Sequence, residues 1–181
     1  MKYELPFLNN IYDSLETVNV DLFCFLELYQ GEGYLSHDEI KHIILNLANL
    51  LELLIKWRLE QEHWALIFSD INKATYSNYI DGDFISVDIK SGIIRLESIC
   101  GINCSFSACK KIYQYRNRLM HYTLNSIFEQ IIKDLSDAMC EITKFMEGEI
   151  IGYLPEEAIN DFMKSIYENK KYVNKLKKLE F

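Results

Sequence analysis

Glycine and proline almost never interrupt this chain. Seven glycines and two prolines stand in 181 residues. A sandwich or barrel of this length needs a turn every roughly 8–12 residues. Turns draw heavily on those two residue types, glycine for positive φ and proline for a preset one. Their scarcity directs the chain toward long helices. Hydrophobic residues make up 49% and charged residues 25%. That balance supplies a core and excludes disorder as the main state. The length is that of one domain.

Hydrophobic spacing fills in the elements. Residues 4–29 read as a helix, with Leu8, Ile11, Tyr12, Leu15, Val18, Leu22, Phe25 and Leu26 at helical intervals. Gly31-Glu32-Gly33 reads as a turn, and Ser36 with Glu39 as a capping box around an exposed His37. A long helix follows, with Ile40, Ile43, Ile44, Leu47, Leu50, Leu51, Leu54, Ile55 and Trp57 on its apolar face, continuing or kinking toward Ile67. Residues 70–83 are polar and read as a loop, and Phe84-Ile85-Ser86-Val87 as an extended piece. Ile89 to Cys100 reads as a helix, with a hairpin turning at Lys90-Ser91-Gly92 as the alternative. Gly101 stops it, and Ser105 or Ser107 caps a short helix from Ala108 to about Tyr115. One amphipathic pattern then runs from Leu119 to Glu147 and ends at Gly148 and Gly152. Pro155 takes the first position of a last helix, whose tail from Asn169 is rich in lysine. The expected fold is all-α, a bundle of five to six helices with a short extended segment near 84–88. Residues 1–154 form one helical domain, and 155–181 a C-terminal helix and tail packed on it or extending from it.

The net charge of −8 excludes a general nucleic-acid coat protein. Its distribution is uneven. Between Glu97 and Glu129 no acidic residue occurs, while Lys110, Lys111, Arg116 and Arg118 give a local +4. Residues 163–181 carry six lysines against Glu168 and Glu180, another +4, which reads as a solvated lysine face. A basic island in an acidic chain attracts anions. The start of the chain lacks the pattern of a signal peptide, and Ile43–Ile55 is broken by Asn46, Asn49 and Glu52. A cytoplasmic protein with no membrane partner and reduced thiols is expected. Cys100, Cys104 and Cys109 lack a nearby histidine to complete a zinc pattern, so no metal and no cofactor is assigned.

The central island holds a motif, Arg116-Asn117-Arg118-Leu119-Met120-His121-Tyr122. Four arginines and four histidines in 181 residues give about 0.1 Arg/His pairs at this spacing by chance. Asn117 directly after the arginine and Tyr122 directly after the histidine sharpen the pattern. So does its place at the start of the long C-terminal pattern. The segment resembles the R-x4-6-H signature of the HEPN superfamily in its R-N-x-x-x-H form. Phe84-Ile85-Ser86-Val87-Asp88 followed by Arg95 to Ile102 is similar to what precedes the motif in many stand-alone members. The resemblance implies a HEPN-like helical bundle. It also implies a metal-independent endoribonuclease, often a toxin or antiviral effector, acting as a homodimer with a composite site. The alternative that it implies is a catalytically inactive nucleotide- or protein-binding module. An antitoxin or regulatory protein is a further partner. In HEPN toxins paired with a minimal nucleotidyltransferase the motif continues H-x-Y. Here Tyr122 follows His121 at once and residue 123 is Thr, so that mode of control is not implied.

The chemistry agrees with those residue types. Cleaving RNA with its own 2′-OH needs a proton acceptor, a proton donor for the leaving 5′ oxygen, and positive charge on the phosphorane. Histidine titrates near neutrality and moves protons either way. Arginine offers a fork to two phosphate oxygens and keeps its charge. His121 is the expected general acid/base, Arg116 the phosphate clamp, and Asn117 orients phosphate or histidine. Arg118, Lys110, Lys111, Gln114, Tyr122 and Asn125 are the expected RNA contacts. Five residues on an ideal helix turn about 500°, so Arg116 and His121 lie about 140° apart. Gln114, Asn117, His121 and Asn125 fall on one line. Either the helix starts or bends near Arg116, or two chains share the site.

Other groupings read as structural. Glu39–His42 and Glu60–His63 have the spacing of helical di-metal sites and are read as coincidence. Trp57 and Trp64 read as core or interface.

Overall fold

The structure, a computed structural model, describes residues 6–32 and 37–179. The Ser36–Glu39 capping box and the exposure of His37 fall outside the described residues. Seven α-helices are present among those described: α1 (Phe7–Glu32), α2 (His37–Glu62), α3 (Tyr76–Asp81), α4 (Ile89–Ser98), α5 (Ser107–His121), α6 (Phe128–Phe145) and α7 (Glu156–Leu176). No strand occurs among them. The fold is an all-α bundle, as the scarcity of turn residues requires.

The core follows the spacing. Ile11, Leu15, Val18, Leu22, Phe25 and Leu26 of α1 are buried, and so is the whole expected apolar face of α2 from Ile40 to Trp57. Helix α2 is central and packs against α1, α4 and α5, while α7 covers α1 and α6. Gly31 and Glu32 continue α1 rather than turning.

Residues 70–83 are not a plain loop. A 3-10 turn, Ile71–Lys73, is capped by Asp70, and α3 is capped by Thr75 and closed by Gly82 at φ 69°. The polar residues that read as loop are the caps themselves. The 84–87 segment is extended. Ser69 N–H donates to the Ile85 carbonyl and Val87 N–H to that of Ile67, each at 2.8 Å. The Phe68 and Phe84 rings stack at 4.1 Å.

Asp88 accepts from the Ser91 N–H at 3.0 Å, which starts α4 as a helix and excludes the hairpin. Gly92 lets α4 lie close on α2, since a Cβ there would stand 2.7 Å from Ile55 Cγ2. Arg95 then ties α4 to the preceding turn by donating to the carbonyls of Leu66, Phe68 and Ser69. Gly101, at φ 71°, ends the segment as expected.

The Leu119–Glu147 pattern is not one helix. It breaks at residues 122–127, where Thr123, Asn125 and Ser126 favour local hydrogen bonds over helix. At its far end Gly148 does not stop the chain. A π-helical turn, Met146–Ile150, carries through it and keeps Met146 and Ile150 both buried. A 3-10 turn, Ile151–Tyr153, follows, and Pro155 sits just before α7 rather than in it. The Arg58 side chain, buried in α2, donates to Glu62 and to the Tyr153 hydroxyl, fastening this corner. On α7, Lys170 and Lys171 pair with Glu147 and Glu168. No helix among the described residues is long and apolar enough to cross a membrane.

Candidate active site

Helix α5 carries the motif, and α6 holds α5 in place. The expected serine cap of α5 is replaced by a carboxylate from the neighbouring helix. Glu141 accepts from Ser107 Oγ at 2.9 Å and from the N–H groups of Ala108 and Cys109 at 3.0 Å each. An anion at that end satisfies otherwise unpaired N–H groups and complements the helix dipole. Burial beside Glu141 pushes the Cys109 thiol well up.

One turn further on, Asp134 of α6 is only 2% exposed. It accepts from Lys111 Nζ at 2.8 Å, Tyr115 Oη at 2.7 Å and Gln130 Nε2 at 2.9 Å. Burial alone would raise its carboxyl, but the three donors and the lysine charge outweigh this and hold it below the ordinary range. Tyr115 is pushed up by burial and by the same bond. Lys111 is raised by its bond to Asp134. The expected RNA contact at Lys111 is therefore already neutralised, unlike Lys110, which is exposed and unpaired.

Beyond Tyr115 no residue of the helix is fully buried, although Leu119 still packs on the core. The buried residues of α5, Ala108, Cys109 and Ile112, all lie in its first half. Arg116 and Asn117 are half-buried, and Gln114, Arg118, Met120 and His121 are exposed. Arg116 Nη1 donates to Asn117 Oδ1 at 3.0 Å, and its guanidinium stands 5.8 Å from the centre of the Tyr113 ring. The motif therefore presents a half-buried cation and an exposed imidazole in the last turns of α5.

The sequence placed the motif at the start of a helix, but it occupies the end of one. Helix α5 runs unbroken from Ser107 through Arg116 to His121, so neither a start nor a bend brings arginine and histidine together. The last helical bond is from Tyr122 N–H to the Arg118 carbonyl at 2.7 Å. Asn125 lies past that end, exposed in the 122–127 segment, so the polar line shortens to Gln114, Asn117 and His121. Tyr122 is 88% exposed.

Sequence reasoning missed Asp134 and Glu141. Asp134 had a signal, a carboxylate on the helical face of Ile131, Leu135 and Ala138 that demands donors from a neighbour. It also missed a groove of about 440 Å³ that opens at the residue after His121. Ile40, Ile44 and Ile131 lie at its floor, and Asp38, Lys41 and Tyr122 are among its polar rim.

The remaining groupings are structural. His63 lies beyond α2 and accepts the Ala65 N–H at Nδ1, while Glu60 accepts the Tyr79 hydroxyl at 2.8 Å. Trp57 is core, and Trp64 packs among Phe68, Tyr76 and Tyr79. Among the described residues no group of three histidine, cysteine or carboxylate side chains is placed to hold a metal ion. Compared with protein-family models, with curated proteins and with solved structures, the chain matches none.

Proposed function

We propose that the chain is a HEPN-type endoribonuclease, acting on RNA in the cytoplasm without a metal ion. The observation that carries this reading is the end of α5, where an exposed His121 and a half-buried Arg116–Asn117 pair stand on a helix locked from behind by Asp134 and Glu141.

In the proposed reaction the His121 imidazole takes the proton of the 2′-OH. The 2′ oxygen forms a bond to phosphorus as the bond from phosphorus to the 5′ oxygen breaks. An imidazolium returns a proton to that leaving oxygen. Arg116 forks onto the two non-bridging oxygens and meets the charge of the phosphorane. The products are a 2′,3′-cyclic phosphate and a 5′-OH. Arg118, Gln114, Tyr122 and Asn125 are exposed around this end, Lys110 is exposed near the opposite end of α5, and all five serve as RNA contacts.

A homodimer is part of the proposal. On an unbroken helix Arg116 and His121 lie about 140° apart and do not share one face. A second α5 across a two-fold axis supplies the missing group and the second imidazole. The exposed apolar side chains of Met120 and Ile127 beside the motif support such a contact. A toxin or defence role follows from an unguarded ribonuclease activity, with an antitoxin or regulatory protein as its restraint.

The test is cleavage of a labelled structured RNA in EDTA by wild type, His121→Ala and Arg116→Ala. Wild-type cleavage that both variants lose supports the proposal. No cleavage by folded wild type favours an inactive HEPN module that binds nucleotides or protein.

A further inference from the structure

The groove beside the motif has the makings of a base-reading site. It opens directly after the candidate histidine, because Leu119, Tyr122 and Thr123 form its near wall. Its far wall is the first turn of α2, with Asp38 and Lys41. Its volume of about 440 Å³ lies in the range of small-ligand sites, and its apolar floor under a few polar groups is their usual make-up.

The polar groups of the rim include a carboxylate and an ammonium. Asp38 and Lys41 are exposed and make no hydrogen bond or ion pair with another described residue. Three positions apart on α2, they share one helix face about 5–6 Å apart. A carboxylate only accepts, and an ammonium only donates. Together they present a donor beside a pair of acceptors. The Watson–Crick edge of guanine is the complement, with the O6 acceptor beside the N1–H and N2–H donors. Adenine, cytosine and uracil do not present two adjacent N–H donors on separate atoms beside an acceptor. Unpaired RNA bases are commonly read this way, stacked on an aromatic ring and bonded along that edge. Tyr122 offers the ring, held out into solvent.

We propose that this groove is a guanine subsite for single-stranded RNA, in which Asp38 and Lys41 read the base flanking the cleaved phosphate and Tyr122 stacks on it. The proposal deepens the ribonuclease reading and rests on it for the word "flanking". Binding of the base itself does not depend on catalysis.

The experiment therefore has two arms. Titration calorimetry measures binding of the four nucleoside 3′-monophosphates to wild type, Asp38→Asn and Tyr122→Ala. Wild type is expected to prefer 3′-GMP by about tenfold or more, the discrimination of a bidentate base contact. Asp38→Asn brings that ratio toward one. Tyr122→Ala weakens all four nucleotides and keeps the ratio. The second arm maps cleavage of an unstructured RNA, where sites flanked by guanine should lead in wild type and lose their lead in Asp38→Asn. Equal binding of all four nucleotides by wild type, or a guanine preference that survives Asp38→Asn, overturns the subsite. If no RNA is cut while 3′-GMP binds in an Asp38-dependent way, the subsite stands and the ribonuclease reading falls.

Discussion

The Tyr115 hydroxyl of α5 donates to Asp134 Oδ2 of α6 at 2.7 Å, one residue before the motif arginine. Lys111, one turn earlier, donates to the other oxygen of the same carboxylate at 2.8 Å. Two bonds a turn apart fix the rotation of α5 about its axis. They decide which way Arg116 and Asn117 face.

Asp134 makes stability depend on acid. Its folded carboxyl titrates below the ordinary value, so the unfolded chain binds its proton first as pH falls. Its contribution is complete above about pH 4, the unfolded value, and fades as pH drops through the lower folded one. Asp134→Asn should lower stability at pH 7 by about 2 kcal/mol. It should also flatten the acid limb of a urea-midpoint profile below about pH 4. An acid limb identical to that of wild type would refute this role.

Glu141 supplies the cap that α5 lacks in its own sequence. Glu141→Ala should cost about 1 kcal/mol, as the loss of a capping side chain does. In a protein of this size that is a drop in Tm of about 2–4 °C. The amides of residues 107–110 should lose hydrogen-exchange protection before the rest of α5. Unchanged protection would show that the cap is idle.

Gly92 sits against Ile55 with no room for a methyl group. Alanine in a helix interior normally gains about 0.5–1 kcal/mol over glycine. Here overpacking against a stiff β-branched side chain costs about 1–3 kcal/mol. Gly92→Ala should therefore destabilise by about 1 kcal/mol, read as a lower urea midpoint at unchanged slope. A stabilised variant would mean that α4 lies farther from α2.

The basic island divides into free and bound charge. Arg118 is exposed, whereas Lys111 is neutralised by Asp134. Arg118→Ala should reduce the salt slope of single-stranded RNA binding by about 0.7, the share of one phosphate contact. Lys111→Ala should reduce it by clearly less. Equal reductions would place Lys111 on the RNA.

The helices α1, α2 and α4 were legible because each buries a face whose spacing repeats every three to four residues. The break at 122–127 was not, since Leu124 and Phe128 continue the apolar rhythm across it while Thr123, Asn125 and Ser126 take the backbone out of helix. That break moved His121 from a helix start to a helix end. The motif residues were visible as a string. Their support was not, because Asp134 and Glu141 belong to another helix, and periodicity is silent on which helices meet. The groove was hidden for the same reason: Asp38 and Tyr122 lie 84 positions apart.

The most direct test of the ribonuclease proposal reads the ends of the RNA that the protein cuts. RNA digested in EDTA by wild type should carry 2′,3′-cyclic phosphate and 5′-OH ends, and His121→Ala should make them about 10²–10⁴-fold more slowly. Fragments with 3′-OH and 5′-phosphate ends, or cutting by His121→Ala at the wild-type rate, would contradict it.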